Sequence, residues 1–494
     1  MGGVWDGSKN RSSEVGRPNR RVSNDPRGLT QETMSAMLHR RDAMIRLGQL
    51  GAGALTLPGL TLAEQSRAVH PAAGGKAKSC ILIYLWGGPP QMDMWDPNPE
   101  APAGVRSLFK PIPTKVPGIH VSEEMPLFAK LTDKTAIIRS LTHDSDEHGN
   151  SVYYTLTGYR DPQKVFSRNH RNRHDRPGMG SVLSALRPTS NMPATVTIPR
   201  PIGHDGVTYS GTHAGFVGPR HDPLEIGRVG EETKADELFP LTLPDAVSNT
   251  RLLARHGLMQ TLEDIDRKLQ ADPATADHME YRKQALGMLL TSKVKAALDI
   301  NKETPQTRER YGRNEWGESI LMARRLVESG VRLVTISWMY IQKGGNVANV
   351  WDNHGNFEGK TGYDMLKAEY CLPSLDRGFY ALMEDLTQRG MLDETLVAMF
   401  GEFGRTPKIN ATAGRDHWGA CQSAVLAGGG IRGGTVYGKS DKQSAYVVDN
   451  PVSPADLHAT MYHALGLTPD AMVHDNLNRP HRINDGRPLT ALFG

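Results

Sequence analysis

The stretch TLVAMFGEFGRTPKINATAGRDHWG, residues 395–419, changes character in its middle. Its first six residues are uniformly apolar, the signature of a strand buried on both faces. Glu402, Arg405, Asp416 and His417 follow at once, with Gly401 and Gly404 near the first acid. A solvated loop accounts for the charges, but not for an acid set between glycines or an Asp-His pair beside Trp418. An apolar strand running straight into acid, base and imidazole is what an open parallel sheet shows at its strand tips, where ligands bind.

Working outward, the same shape recurs. SCILIYLWGG (79–88) leads to GGPPQMDMWDP, with Asp93 and Asp96. TAIIRSLT (135–142) leads to THDSDEHGNS, with His143, Asp144, Asp146, Glu147 and His148. VRLVTISWM (331–339) leads to NVWDNHGN, with Asp352 and His354, and SAVLAGGG (423–430) is a further strand. Helical patterns lie between. SVYYTLTG closes a helix at Gly158, NEWGESILMARRLVESG stops at Gly330, and YDMLKAEYCLPSLDRGFYALMEDLTQRG breaks near Pro373. SPADLHATMYHALG starts with Ser453 as N-cap and Pro454 in the first turn, and ends at Gly466. This alternation predicts an α/β fold with a doubly wound, mostly parallel sheet. A single domain is expected over 78–494. Residues 160–250, rich in Pro, Gly and His without a period, read as long loops. Residues 250–315 read as a helical insertion with two amphipathic helices.

Composition removes several functions. With 494 residues and a net charge of +4, the chain has no basic block beyond its first 46 residues, which argues against a nucleic-acid partner. Three cysteines without a close pair make neither a disulfide framework nor a zinc–thiolate site. Residues 1–36 are polar and read as disordered. Arg40-Arg41 then precedes a weakly apolar, Gly-rich stretch from Ala43 to Ala63, interrupted by Arg46 and Pro58. Such a stretch spans a bilayer poorly. It resembles a twin-arginine export leader over 37–70, with translation starting at Met34 or Met37, and predicts a protein that is periplasmic or otherwise exported by the twin-arginine route.

Carboxylates mixed with imidazoles suit zinc, manganese or iron, whereas oxygen-only sets suit calcium or magnesium. The strand tips together predict a site for one or two divalent ions of zinc, manganese, iron or calcium type. Its expected ligands are Asp93, His148, Asp352, His354, Glu402 and His417, with Asp96, His143 and Asp416 as secondary candidates. Other residues read as ordinary. His204, His213 and His221 are expected to be loop histidines, Arg324-Arg325 to face solvent or Glu328, and Cys80 to be a small core residue. Trp86, Trp95, Trp351 and Trp418 neighbour the tips, as core or as platforms for a sugar ring.

WGGPPQMDMWDP, EHGNSVYYTLTG, RERYGRNEWGESILMARRLVESGVRLVTI, WDNHGN, GEFGRTP, GRDHWG, GGGIRGGTVYGKSD and PADLHATMYHALGL, with the leader RRDAMIR, resemble the exported, sulfatase-like family catalogued as domain-of-unknown-function family 1501. That family lies within the alkaline-phosphatase superfamily, and the resemblance covers about residues 37–490. It implies a sulfatase-like fold in which Glu402 replaces a metal-binding Asp and Phe403 a His. The sulfatase nucleophile position falls on His148, and the Arg expected four residues later is Val152. The two acids of the first strand tip fall on Gly87-Gly88, with Asp93 and Asp96 as possible substitutes. His148 can therefore bind metal or attack, Ser151 one turn along is a further nucleophile candidate, and Arg405 can stabilise an anionic ester or merely pair with Glu402. The function implied is metal-dependent hydrolysis of sulfate or phosphate esters on a small-molecule or polysaccharide substrate, with no stable membrane span. The rival is a catalytically silent periplasmic binding protein for carbohydrates or anions.

Overall fold

The computed structural model describes residues 75–160, 170–189, 192–204, 207–227, 292–341, 347–348 and 350–494. The expected leader and the expected helices between residues 250 and 291 lie outside the described residues. Eight strands build the central sheet: β1 (Ser79–Tyr84), β2 (Thr135–Leu141), β3 (Thr195–Ile198), β4 (Leu224–Glu225), β5 (Leu333–Ser337), β6 (Thr395–Phe400), β7 (Gln422–Ala427) and β8 (Thr435–Tyr437). Their order across the sheet is β8-β2-β7-β6-β1-β5-β3-β4. Every pairing is parallel except the two made by β7, which runs antiparallel to both β6 and β2. The sheet is mostly parallel, as expected.

Alternation within the strands assigns each residue to a layer. In β1, Ile81 and Ile83 join one apolar cluster, and Cys80, Leu82 and Tyr84 join another. In β6 the split is Val397 and Met399 against Leu396, Ala398 and Phe400. Among the described residues the α-helices are α1 (His148–Thr157), α2 (Met179–Leu186), α3 (Ser292–Leu298), α4 (Pro305–Tyr311), α5 (Glu315–Glu328), α6 (Gly362–Lys367), α7 (Leu372–Gln388) and α8 (Pro454–Ala464). Helices α3, α5 and α7 cover the first layer, and α1, α2 and α8 the second. Strands buried on both faces follow, which is why β1 and β6 are largely apolar, while Arg139 of β2 and Gln422 of β7 interrupt theirs.

Some expectations need correction. Residues 160–250 are not loops alone, because α2, β3 and β4 fall among them. β3 is only four residues, TVTI, and Pro-Arg-Pro follows it, so its apolar signal is brief. The long helix before β6 does break near Pro373, as expected: α6 ends at Lys367 and α7 starts at Leu372, with Pro373 in its first turn. Arg324 meets Glu328, one of the two expected surroundings, but it does not face solvent: it is buried, pairing also with Asp385 at 3.0 Å and Glu303 at 2.7 Å, and so ties α5 to α7.

Candidate metal centre

β1, β2, β5 and β6 all point the same way, so the segments leaving their carboxyl ends meet on one edge. From β2 comes His148, the first residue of α1, and from β5 come Asp352 and His354. From β6 comes Glu402, then the two-stranded hairpin in which Gly404 pairs with Trp418 and Arg405 with His417. That hairpin returns His417 to the strand tip it left.

The Asp352 carboxylate is the hub. One oxygen, Oδ1, lies 3.0 Å from His354 Nε2 and 3.0 Å from His417 Nε2, and these two nitrogens are themselves 3.0 Å apart. The other oxygen, Oδ2, lies 3.5 Å from His148 Nε2. Donor atoms of His148, Asp352 and His417 all fall within 4.8 Å of one another. Each ring is held from behind by its other nitrogen. His148 Nδ1 meets Glu402 Oε1 at 2.7 Å, His354 Nδ1 meets Asp416 Oδ1 at 2.8 Å, and His417 Nδ1 meets the Asp146 carbonyl at 2.8 Å.

Glu402 is fully buried and is itself anchored. The Gly87 amide donates to both its oxygens, at 2.9 and 3.1 Å. Gly87 has φ 118°, a conformation open to glycine, and this turns its N–H toward the acid. His143 braces the same residue, with Nε2 2.6 Å from the Glu402 carbonyl. Gly404 is required by close approach: a Cβ there would lie 2.1 Å from the Cys421 carbonyl and 2.6 Å from Gln91 Oε1.

Electrostatics follow from this packing. Burial would raise the Asp352 carboxyl, but Arg405 and then the three imidazoles outweigh it and hold it well below the usual carboxylate range. Burial works against a charged His148, yet Asp352 and Glu402 together lift it to about 9. His354 is raised chiefly by Asp352.

The remaining expected residues lie elsewhere or serve otherwise. Asp93 does not join the cluster: its carboxylate pairs with Arg415 Nε at 2.7 Å and accepts from the Tyr363 hydroxyl at 2.7 Å. Asp96 pairs with Arg139 and Ser440. The Ser151 hydroxyl turns toward Ser145, 3.1 Å from both its carbonyl and its Oγ. Arg405 is buried, with Nε and Nη2 directed at the carbonyls of Gly88, Gly87 and Trp351 and at Asp352, and Nη1 at the Arg415 carbonyl and, at 3.4 Å, at His354 Nε2. Its acidic partner is Asp352 and not Glu402. Trp86, Trp95 and Trp351 are buried core, while Trp418 is half-buried against the exposed ring of Tyr446. Sequence reasoning did not single out the Asp146 carbonyl, the Gly87 amide or Arg415. Asp146 and Gly87 stood among the strand-tip residues without these backbone roles, and Arg415 left its trace as the arginine beside the Asp-His pair in GRDHWG.

A family model described as "Protein of unknown function (DUF1501)" matches residues 77–493. No curated protein matches the chain by sequence. Among solved structures it is similar to the PsFucS1 sulfatase from Pseudoalteromonas sp., at 11% identity over 83% of this chain and 70% of that one, with a TM-score of 0.36. It is also similar to the phosphonate monoester hydrolase SpPMH from Silicibacter pomeroyi, at 14% identity, 85% and 76% coverage, and a TM-score of 0.33. The alkaline phosphatase from the Antarctic bacterium TAB5 gives 12% identity, 75% and 96% coverage, and a TM-score of 0.29. Likeness at this level carries no argument about activity, and the donor set must supply it.

Proposed function

The chain belongs to the protein family of unknown function DUF1501, and from that premise we propose that it is an exported, metal-dependent hydrolase of sulfate or phosphate esters, acting on carbohydrate substrates in the cell envelope. One observation supports the reading above the rest: three imidazoles and one carboxylate converge at the carboxyl ends of parallel strands, each imidazole fixed from behind. Structural needs do not explain so many titratable groups in one place, since each costs desolvation when buried.

A divalent ion held there would polarise an ester oxygen and acidify a water. The protein's own groups do the rest. Asp352, His148, His354 and His417 would hold the ion, and Arg405 keeps Asp352 ionised and oriented. His148 opens α1, so an anionic ester beside it would face the positive end of that helix. Because the Ser151 hydroxyl is committed to Ser145, the reading takes water as the attacking group. His354 is about one-third exposed, which leaves substrate a path to the cluster.

Metal analysis of the mature protein, with paired assays on an aryl sulfate and an aryl phosphate, tests the proposal. Turnover of at least one ester should fall by orders of magnitude in Asp352→Asn and His417→Ala. A metal-loaded protein that turns over neither ester would favour the silent binding protein instead.

A further inference from the structure

The groups behind the three histidines decide which of their nitrogens faces inward. A backbone carbonyl only accepts hydrogen bonds, so His417 must carry its proton on Nδ1, facing Asp146. The Asp416 carboxylate, which also accepts from Asn410 at 3.2 Å, sets the same tautomer in His354. Glu402, already accepting from the Gly87 amide, sets it in His148. Each neutral ring therefore turns a bare Nε2 lone pair toward Asp352. Facing a carboxylate at 3.0 to 3.5 Å, these nitrogens need either protons or a metal cation among them, and one divalent ion takes the place of the protons. Arg405 does not serve all three: among the rings it reaches His354 Nε2, at 3.4 Å.

Resting on the metal-centre reading above, we propose that this is a single-ion centre for a borderline, nitrogen-preferring divalent metal of the zinc kind, and not for calcium or magnesium. Glu402, Asp416 and the Asp146 carbonyl are its orienting residues rather than its ligands. Calcium takes about 6–8 oxygen ligands and magnesium keeps much of its water, whereas imidazole suits zinc and its first-row neighbours. The inward donors here are three nitrogens against one carboxylate. Spacing agrees. Bonds of ~2.0–2.1 Å place neighbouring donors roughly 3.0–3.4 Å apart; His354, His417 and Asp352 Oδ1 are separated by 3.0 Å, and His148 approaches the other oxygen of Asp352 at 3.5 Å, within the group His148, Asp352 and His417 whose donors fall within 4.8 Å. Carboxylates and carbonyls behind ligating histidines are what fixes tautomer and ring angle in such sites.

The test strips the full mature protein with a chelator and adds zinc, cobalt, calcium or magnesium alone, following thermal unfolding and bound metal. Zinc is expected to bind at one equivalent and raise the melting temperature, and cobalt to give the strong visible bands of a low-coordinate nitrogen-rich site. Calcium and magnesium should shift nothing at millimolar concentration. Calcium stabilising as well as zinc, or two zinc equivalents, would overturn the proposal. Asp416→Asn and Glu402→Gln should each weaken zinc about 10–100-fold with stoichiometry unchanged. Loss of the zinc equivalent in the soluble, folded Asp416→Asn protein, or unchanged affinity in both variants, would count against the orienting role. Zinc bound at one equivalent with no ester turnover would remove the hydrolase reading and leave this one standing. Turnover that calcium alone supports would do the reverse.

Discussion

The Arg405 guanidinium meets four carbonyls and a carboxylate in the protein interior, a load that no other side chain can carry. Lysine has one nitrogen and three donors, so Arg405→Lys would strand carbonyls from three separate segments and half-release a buried Asp352. The expected result is a loss of about 3–5 kcal/mol in stability, the scale for breaking a buried ion pair, measured by urea unfolding of the wild type and the variant. Unchanged stability with lost turnover would instead return Arg405 to the reaction. Asp93 teaches the complementary lesson. It and Asp352 look alike in sequence, each an acid shortly beyond an apolar strand. What separates them is the partner: Arg415 saturates one, and three imidazoles gather around the other. Apart from His354, two residues on from Asp352, these partners arrive from 65 residues or more along the chain, so local sequence ranks the two acids only weakly.

Among the elements, the hairpin that carries His417 is the most tightly specified. Gly404→Ala would drive a methyl into the Cys421 carbonyl. The hairpin should splay, and metal affinity should fall more than stability does, as calorimetric titration beside a melting curve would show. Helix α8 makes a milder case. Ser453 accepts from the Asp456 amide, and Asp456 returns the bond, so Ser453→Ala is expected to cost about 1 kcal/mol in thermal unfolding, with site chemistry untouched. At this scale the sequence was readable where a signal was long. β1, β2, β5, β6 and the caps of α8 stand in their expected places. The direction of β7 was not readable, because an apolar run has no arrow; only its pairing with β6 and β2 reveals that it runs backwards. β3 and β4 were hidden by their brevity among prolines.

For the molecule as a whole, the clearest pH response outside the centre belongs to His458. Burial pushes its imidazole down to about 4, despite the bond from Nε2 to the Thr155 carbonyl. The unfolded chain binds that proton near pH 6.5 and the native state does not until about 4, so stability is full above 6.5 and drains away as the pH falls between these values. A gap of this size amounts to roughly 3 kcal/mol. His458→Gln keeps an N–H for Thr155 and should flatten the acid limb of a melting-temperature profile recorded from pH 7 to pH 4. The centre itself has another property: its parts are strangers along the chain. His148 and Glu402 are 254 residues apart, and His354 and His417 are 63 apart. Asp352 and His354 are neighbours, but no short segment holds a complete set of donors, so an unfolded chain grips an ion only weakly. Contacts of such long range form late in folding. Tight metal uptake during refolding would then be a clock, striking only when β2, β5 and β6 have all docked.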